Sequence, residues 1–315
     1  MVKYIIKKLI ILIVTVLAVS FVIFMLFSII PSDPAVNKLG INATEESLAA
    51  LRAEYGLEGP VLVRYFRYIG GVCTLDFGKS YTYGMKVSQL IGERIFINIV
   101  LSLMSLIIVT VVSIPVGMLL AHVDKTKWEN FIEINNQVVM SMPPFLLGII
   151  LTFIFGIIFK FFSPGRYIAY NKDFWGFMGY MICPALALSL PKCAMCIRLL
   201  RSSILEEKKK DYVKVALAKG NSNGRALYKH ILVNAIMPTI TFISMILADM
   251  IAQGIVVEQV FALPGLGRCL LNAISTRDYP VIEGIILIIA TSIVVIGTLN
   301  DIIHAVIDPR IREDL

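Results

Sequence analysis

"INIVLSLMSLIIVTVVSIPVGMLLA", Ile97 to Ala121, contains no charged residue. A helix needs about 20 mainly apolar residues to cross a bilayer, and this stretch is long enough. Working outward from it, five more runs meet the same condition: Leu9–Ile30, Phe131–Phe159, Phe177–Leu200, Ile236–Val257 and Val281–His304. The expected fold is all-α, a membrane bundle of six spans. Residues 1–30 form the N-terminal segment and first span. Residues 31–95 form a long loop, and residues 96–315 the remaining bundle.

Composition agrees. Of 315 residues, 57% are apolar and 16% charged, and the mean hydropathy is +0.81. A soluble domain averages roughly 45–50% apolar and about 25% charged. The net charge of +7 does not point to nucleic acid, because the basic residues gather beside apolar runs, as they do next to a membrane. The five cysteines lie scattered, mostly in apolar runs, so they form no disulfide framework. Cys193 and Cys196 are read as small buried apolar groups rather than as ligands of a soft metal. The first span follows Lys3, Lys7 and Lys8. It is longer than a signal peptide's apolar core and lacks an A-x-A site, so we expect it to be retained.

Basic loops orient the chain. Lys3, Lys7 and Lys8 put the N-terminus inside, Arg310 and Arg312 put the C-terminus inside, and Lys125 and Lys127 mark a loop on the same side. The most basic segment joins spans four and five and also falls inside. The 31–95 loop then lies outside and holds a helix that runs from an N-cap at Thr44 to Tyr55, with Ser47 at the capping-box position.

Two motifs mislead. Gly220-Asn221-Ser222-Asn223-Gly224 reads as G-x-S-x-G, but a nucleophile elbow needs a strand-to-helix turn, and "DYVKVALA" before it suits a helix. The histidines, His122, His230 and His304, have no motif context. Ser222 is therefore read as part of a Gly/Asn/Ser turn. Gly78-Lys79-Ser80 lacks the first glycine of a phosphate-binding loop, since Cys73 stands there. The chain is expected to bind no cofactor and no metal.

The segment 202–235 reads as helix, turn, helix: Glu206 to Ala218, a break at Gly220 to Gly224, then Arg225 to Asn234. Pro238 falls in the first turn of span five, where its missing N–H costs little. The residues alone leave two readings open, docking to a cytosolic partner or a solvated basic loop against anionic lipid. In span five, Asp249 and Gln253 lie four apart and share a helix face, with Glu258 near the end. A charge within a span usually faces a cavity or a partner. These three are candidates for a translocation path; a contact with another span or subunit is the alternative for Asp249.

"DYVKVALAKG" (Asp211–Gly220), with Asn234, Ala235 and Pro238, resembles the EAA loop of ABC importer membrane subunits. It is closest to the dipeptide/oligopeptide/nickel permease group. "PSDPA" (Pro31–Ala35), "LRAEYGLEGPVLVRY" (Leu51–Tyr65), "LDFGKS" (Leu75–Ser80), "VVEQVFALPGLG" (Val256–Gly267) and "RDYPVIEG" (Arg277–Gly284) resemble that group in the same order. One departure is Asn221 to Gly224, where the family has a stretch such as S-E-R-R; another is Asp249, where a small residue is common. The resemblance implies a type I importer fold in a bacterial or archaeal inner membrane, and a transport subunit rather than an enzyme. It implies a second permease, two cytosolic ATPases that use ATP and Mg, and an extracytoplasmic binding protein. Asp211, Tyr212, Ala216, Lys219, Gly220 and Arg225 would couple the chain to an ATPase. Peptides, glutathione, nickel and metal chelates are all implied substrates. A membrane hydrolase using Ser222 and a passive channel are the alternatives.

Overall fold

The computed structural model describes residues 2–30, 33–40, 43–122, 127–161, 163 and 165–307. Lys125, Arg310, Arg312, Pro31, Ser32 and the Lys127 side chain lie outside the described residues. The helices, in chain order, are α1 (Val2–Ile29), α2 (Pro34–Leu39), α3 (Glu45–Glu54), α4 (Val61–Cys73), α5 (Val87–His122), α6 (Lys127–Ser141), α7 (Pro144–Leu151), α8 (Phe174–Glu207), α9 (Asp211–Ala218), α10 (Asn223–Ala226), α11 (Leu232–Ala235), α12 (Met237–Val260), α13 (Leu266–Thr276) and α14 (Tyr279–Ile307). π-Helical turns at Thr152–Ile158 and Leu227–Ile231 extend α7 and join α10 to α11. Among the described residues there is no β-strand, only one isolated bridge between Lys79 and Lys86. Helix is the expected outcome, since hydrocarbon offers backbone polar groups no other partner.

Five helices, α1, α5, α8, α12 and α14, are long and apolar enough to span a membrane. The third expected span, Phe131–Phe159, is not one straight helix. It breaks between Ser141 and Pro144 and bends by 106°. Pro143 and Pro144 explain the break: proline removes a donor and clashes with the preceding turn, and the residue before it is pushed out of the α region. Asn130–Ser141 and Pro144–Ile158 have the geometry of a broken span or a re-entrant loop; counted as one span, they bring the total to six. The expected helix Glu206–Ala218 is likewise two pieces, because α8 ends at Glu207 and a turn over Lys208–Lys210 starts α9.

The chain divides into two compact units. One comprises residues 1–98 and 264–315, the other 99–263. In the first, α1 packs along α14, and Lys8 bonds Asp301 at 2.6 Å. Its core joins Phe77, Val87, Leu90, Leu266, Val281 and Ile285. The expected helix after Thr44 is α3, with Thr44 Oγ1 accepting from Ser47 N (3.4 Å) and Tyr55 as C-cap; three helices not expected from the sequence join it in this unit, α2 packed on α3, α4 on α1 and α13 on α14. The two segments "LDFGKS" and "RDYPVIEG" are tied together. Buried Asp278 accepts from Ser80 Oγ at 2.5 Å, Tyr81 N at 3.0 Å and Thr82 N at 3.1 Å. The Ser80 hydroxyl is thereby committed, and Lys79 pairs with Glu54 at 3.3 Å. In the second unit α8 is the central helix, packed by α6, α7 and α12.

Candidate functional site

The segment after α8 is a helical hairpin whose local chemistry dictates its shape. Asp211 opens α9, where a carboxylate meets the positive end of the helix dipole, and it accepts from Lys214 at 2.8 Å. The helix ends in a Schellman motif. Gly220 N donates to Leu217 O (2.9 Å) and Asn221 N to Ala216 O (3.4 Å). Gly220 takes φ +87°, which a side chain would strain. A Cβ there would meet nothing within 4 Å, so the constraint within this chain is conformation and not space. The residues that depart from the resembling family act as caps on both sides. Asn221 Nδ2 donates to Ala216 O at 2.9 Å. Ser222 Oγ accepts from Arg225 N at 3.3 Å, the N-cap geometry for α10. Ser222 is a structural serine.

One face of the hairpin is anchored. Val213, Leu227, Ile231 and Ala235 are buried with Met118 and Ala121 at the end of α5 and Leu200 and Ile204 of α8. Each large side chain contributes about 1.5–3 kcal/mol on leaving water. Polar ties add to this. Tyr212 Oη donates to Glu207 at 2.6 Å and accepts from Asn234 Nδ2 at 3.1 Å, while Lys208 Nζ donates to Ala121 O. Burial and the Glu207 bond raise the Tyr212 hydroxyl above its usual range, and Glu207 likewise holds the Lys210 ammonium above its own. Asp211, Tyr212, Lys219, Gly220 and Arg225 lie on the exposed side. Ala216 does not join them: it is buried, three residues after Val213 and so on the same helix face.

Within the spans the structure joins Asp249 and Gln253, as their spacing predicts; Gln253 Nε2 donates to Asp249 Oδ2 at 2.8 Å. It adds a residue that the sequence reading missed. Lys192 of α8 forms an ion pair with Asp249 of α12, with side-chain exposures of 10% and 46%. Lys192 interrupts an apolar run, the same signal that singled out Asp249. Glu258 is apart from them and fully buried, so it faces no open path in this conformation. Cys193 and Cys196 are buried free thiols of α8.

Apolar spanning helices that carry an anchored, charged hairpin define the membrane part of a transport machine. The chain belongs to the family described as binding-protein-dependent transport system inner membrane component, which matches residues 113–313; the corresponding N-terminal family matches residues 1–102. It is similar to a probable peptide ABC transporter permease protein of Sinorhizobium fredii (34% identical, covering 98% of this chain and 99% of the relative). It is also similar to the oligopeptide transport system permease protein AppB of Bacillus subtilis (32%, 99% and 100%). A putative peptide transport system permease protein of Brucella abortus is 32% identical, with 95% of each chain covered. The chain is thus a multi-pass inner-membrane permease subunit of an ABC importer with the type I fold. It is a transport subunit and not an enzyme, and it works with an ATPase and a solute-binding protein.

Proposed function

We propose that the chain forms one half of the translocation channel of an ATP-driven importer for peptides or peptide-like solutes. The relatives named as peptide permeases support this cargo; nickel and metal chelates are the neighbouring cargo classes. A second, related permease completes the channel. Two cytosolic ATPases drive it with ATP and Mg, and an extracytoplasmic binding protein delivers the solute. This chain itself holds no cofactor. Both termini and the 202–235 hairpin lie on the cytoplasmic side, in keeping with the positive charge there.

The observation that carries this reading is the two-sided hairpin. Its apolar side is built into the ends of α5 and α8, while its polar side, with Asp211, Tyr212, Lys219 and Arg225, stands exposed around the Gly220 bend. A segment so anchored transmits motion instead of absorbing it. Closure of the ATPases on ATP displaces the hairpin and, through α8, biases the spans between two access states, because ATP binds those states with different affinity. Asp249 then serves the path. Lys192 occupies its carboxylate in this conformation as the ammonium of a peptide would, and the two cations exchange as the spans move.

The test replaces Gly220 with Trp in the assembled transporter. Expected are normal membrane insertion, uptake reduced at least tenfold, and loss of ATP hydrolysis stimulated by the binding protein. Normal uptake would remove the hairpin from coupling. Asp249→Asn with unchanged affinity and rate would remove Asp249 from the path.

A further inference from the structure

The first unit holds a half-open cavity of about 360 Å³ lined by α1, α4, the 76–81 turn and the start of α14. Small-molecule sites run upward from roughly 300 Å³. Its polar groups are unusual. Glu283 of α14 is buried, at 9% exposed, lines the cavity, and has no ion pair or hydrogen bond among the described residues. Tyr68 Oη is buried without a hydrogen-bond partner. A buried acid without a hydrogen-bond partner is costly, and Arg64 acts on Glu283 only through space, without a hydrogen bond or a close ion pair. The Arg64 guanidinium lies over the Phe24 ring, 5.8 Å from its centroid. Arg67 lines another wall.

The walls are aromatic. Tyr68 stacks on Phe24 at 5.4 Å, and Tyr55 on Tyr81 at 4.2 Å. Ring faces attract cations, so the wall around Glu283 favours a positive group. The two arginines favour a negative one, and Arg recognises carboxylates with geometry that lysine lacks.

We propose that this cavity binds a small zwitterion, a free amino acid or short peptide, with its ammonium on Glu283 and Tyr68 and its carboxylate on Arg64 and Arg67. Its lining residues all belong to the first unit, whereas the hairpin and Asp249 belong to the second. Ligand there supplies the hydrogen-bond donor that Glu283 lacks, and an acylated amine takes that donor away.

The experiment measures equilibrium binding of radiolabelled L-alanyl-L-alanine to the assembled transporter in lipid nanodiscs without its binding protein. Saturable binding is expected. N-acetyl-alanyl-alanine should compete at least tenfold more weakly, and Glu283→Gln should weaken the dipeptide at least tenfold. Arg64→Gln should weaken the dipeptide several-fold and leave alanyl-alanine amide unaffected, a contrast that misfolding does not produce. No saturable binding, equal competition by the acetylated peptide, full binding in Glu283→Gln, or equal loss of both peptides in Arg64→Gln would each overturn the proposal.

Discussion

Replacing Asp278 should release the 80–83 turn. Its carboxylate is 1% exposed and accepts three hydrogen bonds, from Ser80 Oγ (2.5 Å), Tyr81 N (3.0 Å) and Thr82 N (3.1 Å). Ser80 Oγ in turn accepts from Tyr83 N at 2.9 Å, so a fourth group depends on the same anchor. A hydrogen bond to a charged group contributes about 1.5–3 kcal/mol net. Bonds within one network do not add, so about 3 kcal/mol is a cautious figure for Asp278→Ala. At about 1.4 kcal/mol per factor of ten, amide exchange of Tyr81 and Thr82 should accelerate more than a hundredfold. Asp278→Asn keeps one carbonyl acceptor and should cost about 1–2 kcal/mol, or roughly tenfold. Hydrogen–deuterium exchange on peptides covering 79–85, in nanodiscs, reads this directly. Peptides from 211–218, in the other unit, serve as the control, since opening is local. Exchange within threefold of wild type in Asp278→Ala would refute the anchoring role, and so would equal acceleration in the control.

Three further outcomes are expected. Asp33 is desolvated, which raises its pKa, but the Arg52 bond at 2.8 Å and the Ala35 amide outweigh this and hold it below the usual carboxylate range; its contribution is therefore present at neutral pH and lost as pH falls through that lowered value, and thermal melts from pH 7 to 3 should show a destabilisation that Asp33→Asn lacks. Gly71→Ala puts a Cβ 2.6 Å from Asp76 O, so the turn must shift; a loss of about 1–3 kcal/mol is expected for such overpacking, read as a lower melting temperature, and an unchanged melt would contradict the geometry. Tyr212→Phe removes the bonds to Glu207 and Asn234, and exchange across 211–218 should rise about fivefold, near 1 kcal/mol, with full protection arguing that packing alone holds α9.

Much of this was legible in the sequence because membrane spans and caps are local. Apolar runs located the spanning helices, Thr44 started α3, and Gly220 ended α9 as its type predicts. Elsewhere local reading fell short for identifiable reasons. Hydropathy passes over Pro143-Pro144, since both are compatible with an apolar run, yet the backbone cannot stay helical through them. The short α4 and α13 owe their helicity to packing against α1 and α14, which no window contains. Ala216 matched a motif, but a motif does not say which side of a helix is anchored. Lys192 meets Asp249 across 57 residues, a pairing that only the folded bundle reveals. Glu283 was a charge inside an expected span and could have been flagged by that rule alone.

The discontinuity of the first unit bears on biosynthesis. Lys8 and Asp301 are 293 residues apart, and α1 packs along α14. At about 5–20 residues per second, α1 waits on the order of 15–60 s for the helix it packs against. During that time α4 can cover one side of α1, while the side destined for α14 has only lipid or the insertion machinery as company. The second unit, contiguous from 99 to 263, is free to assemble meanwhile. The last span to leave the ribosome therefore completes the first unit, and truncation within α14 should be felt at the N-terminus of the protein.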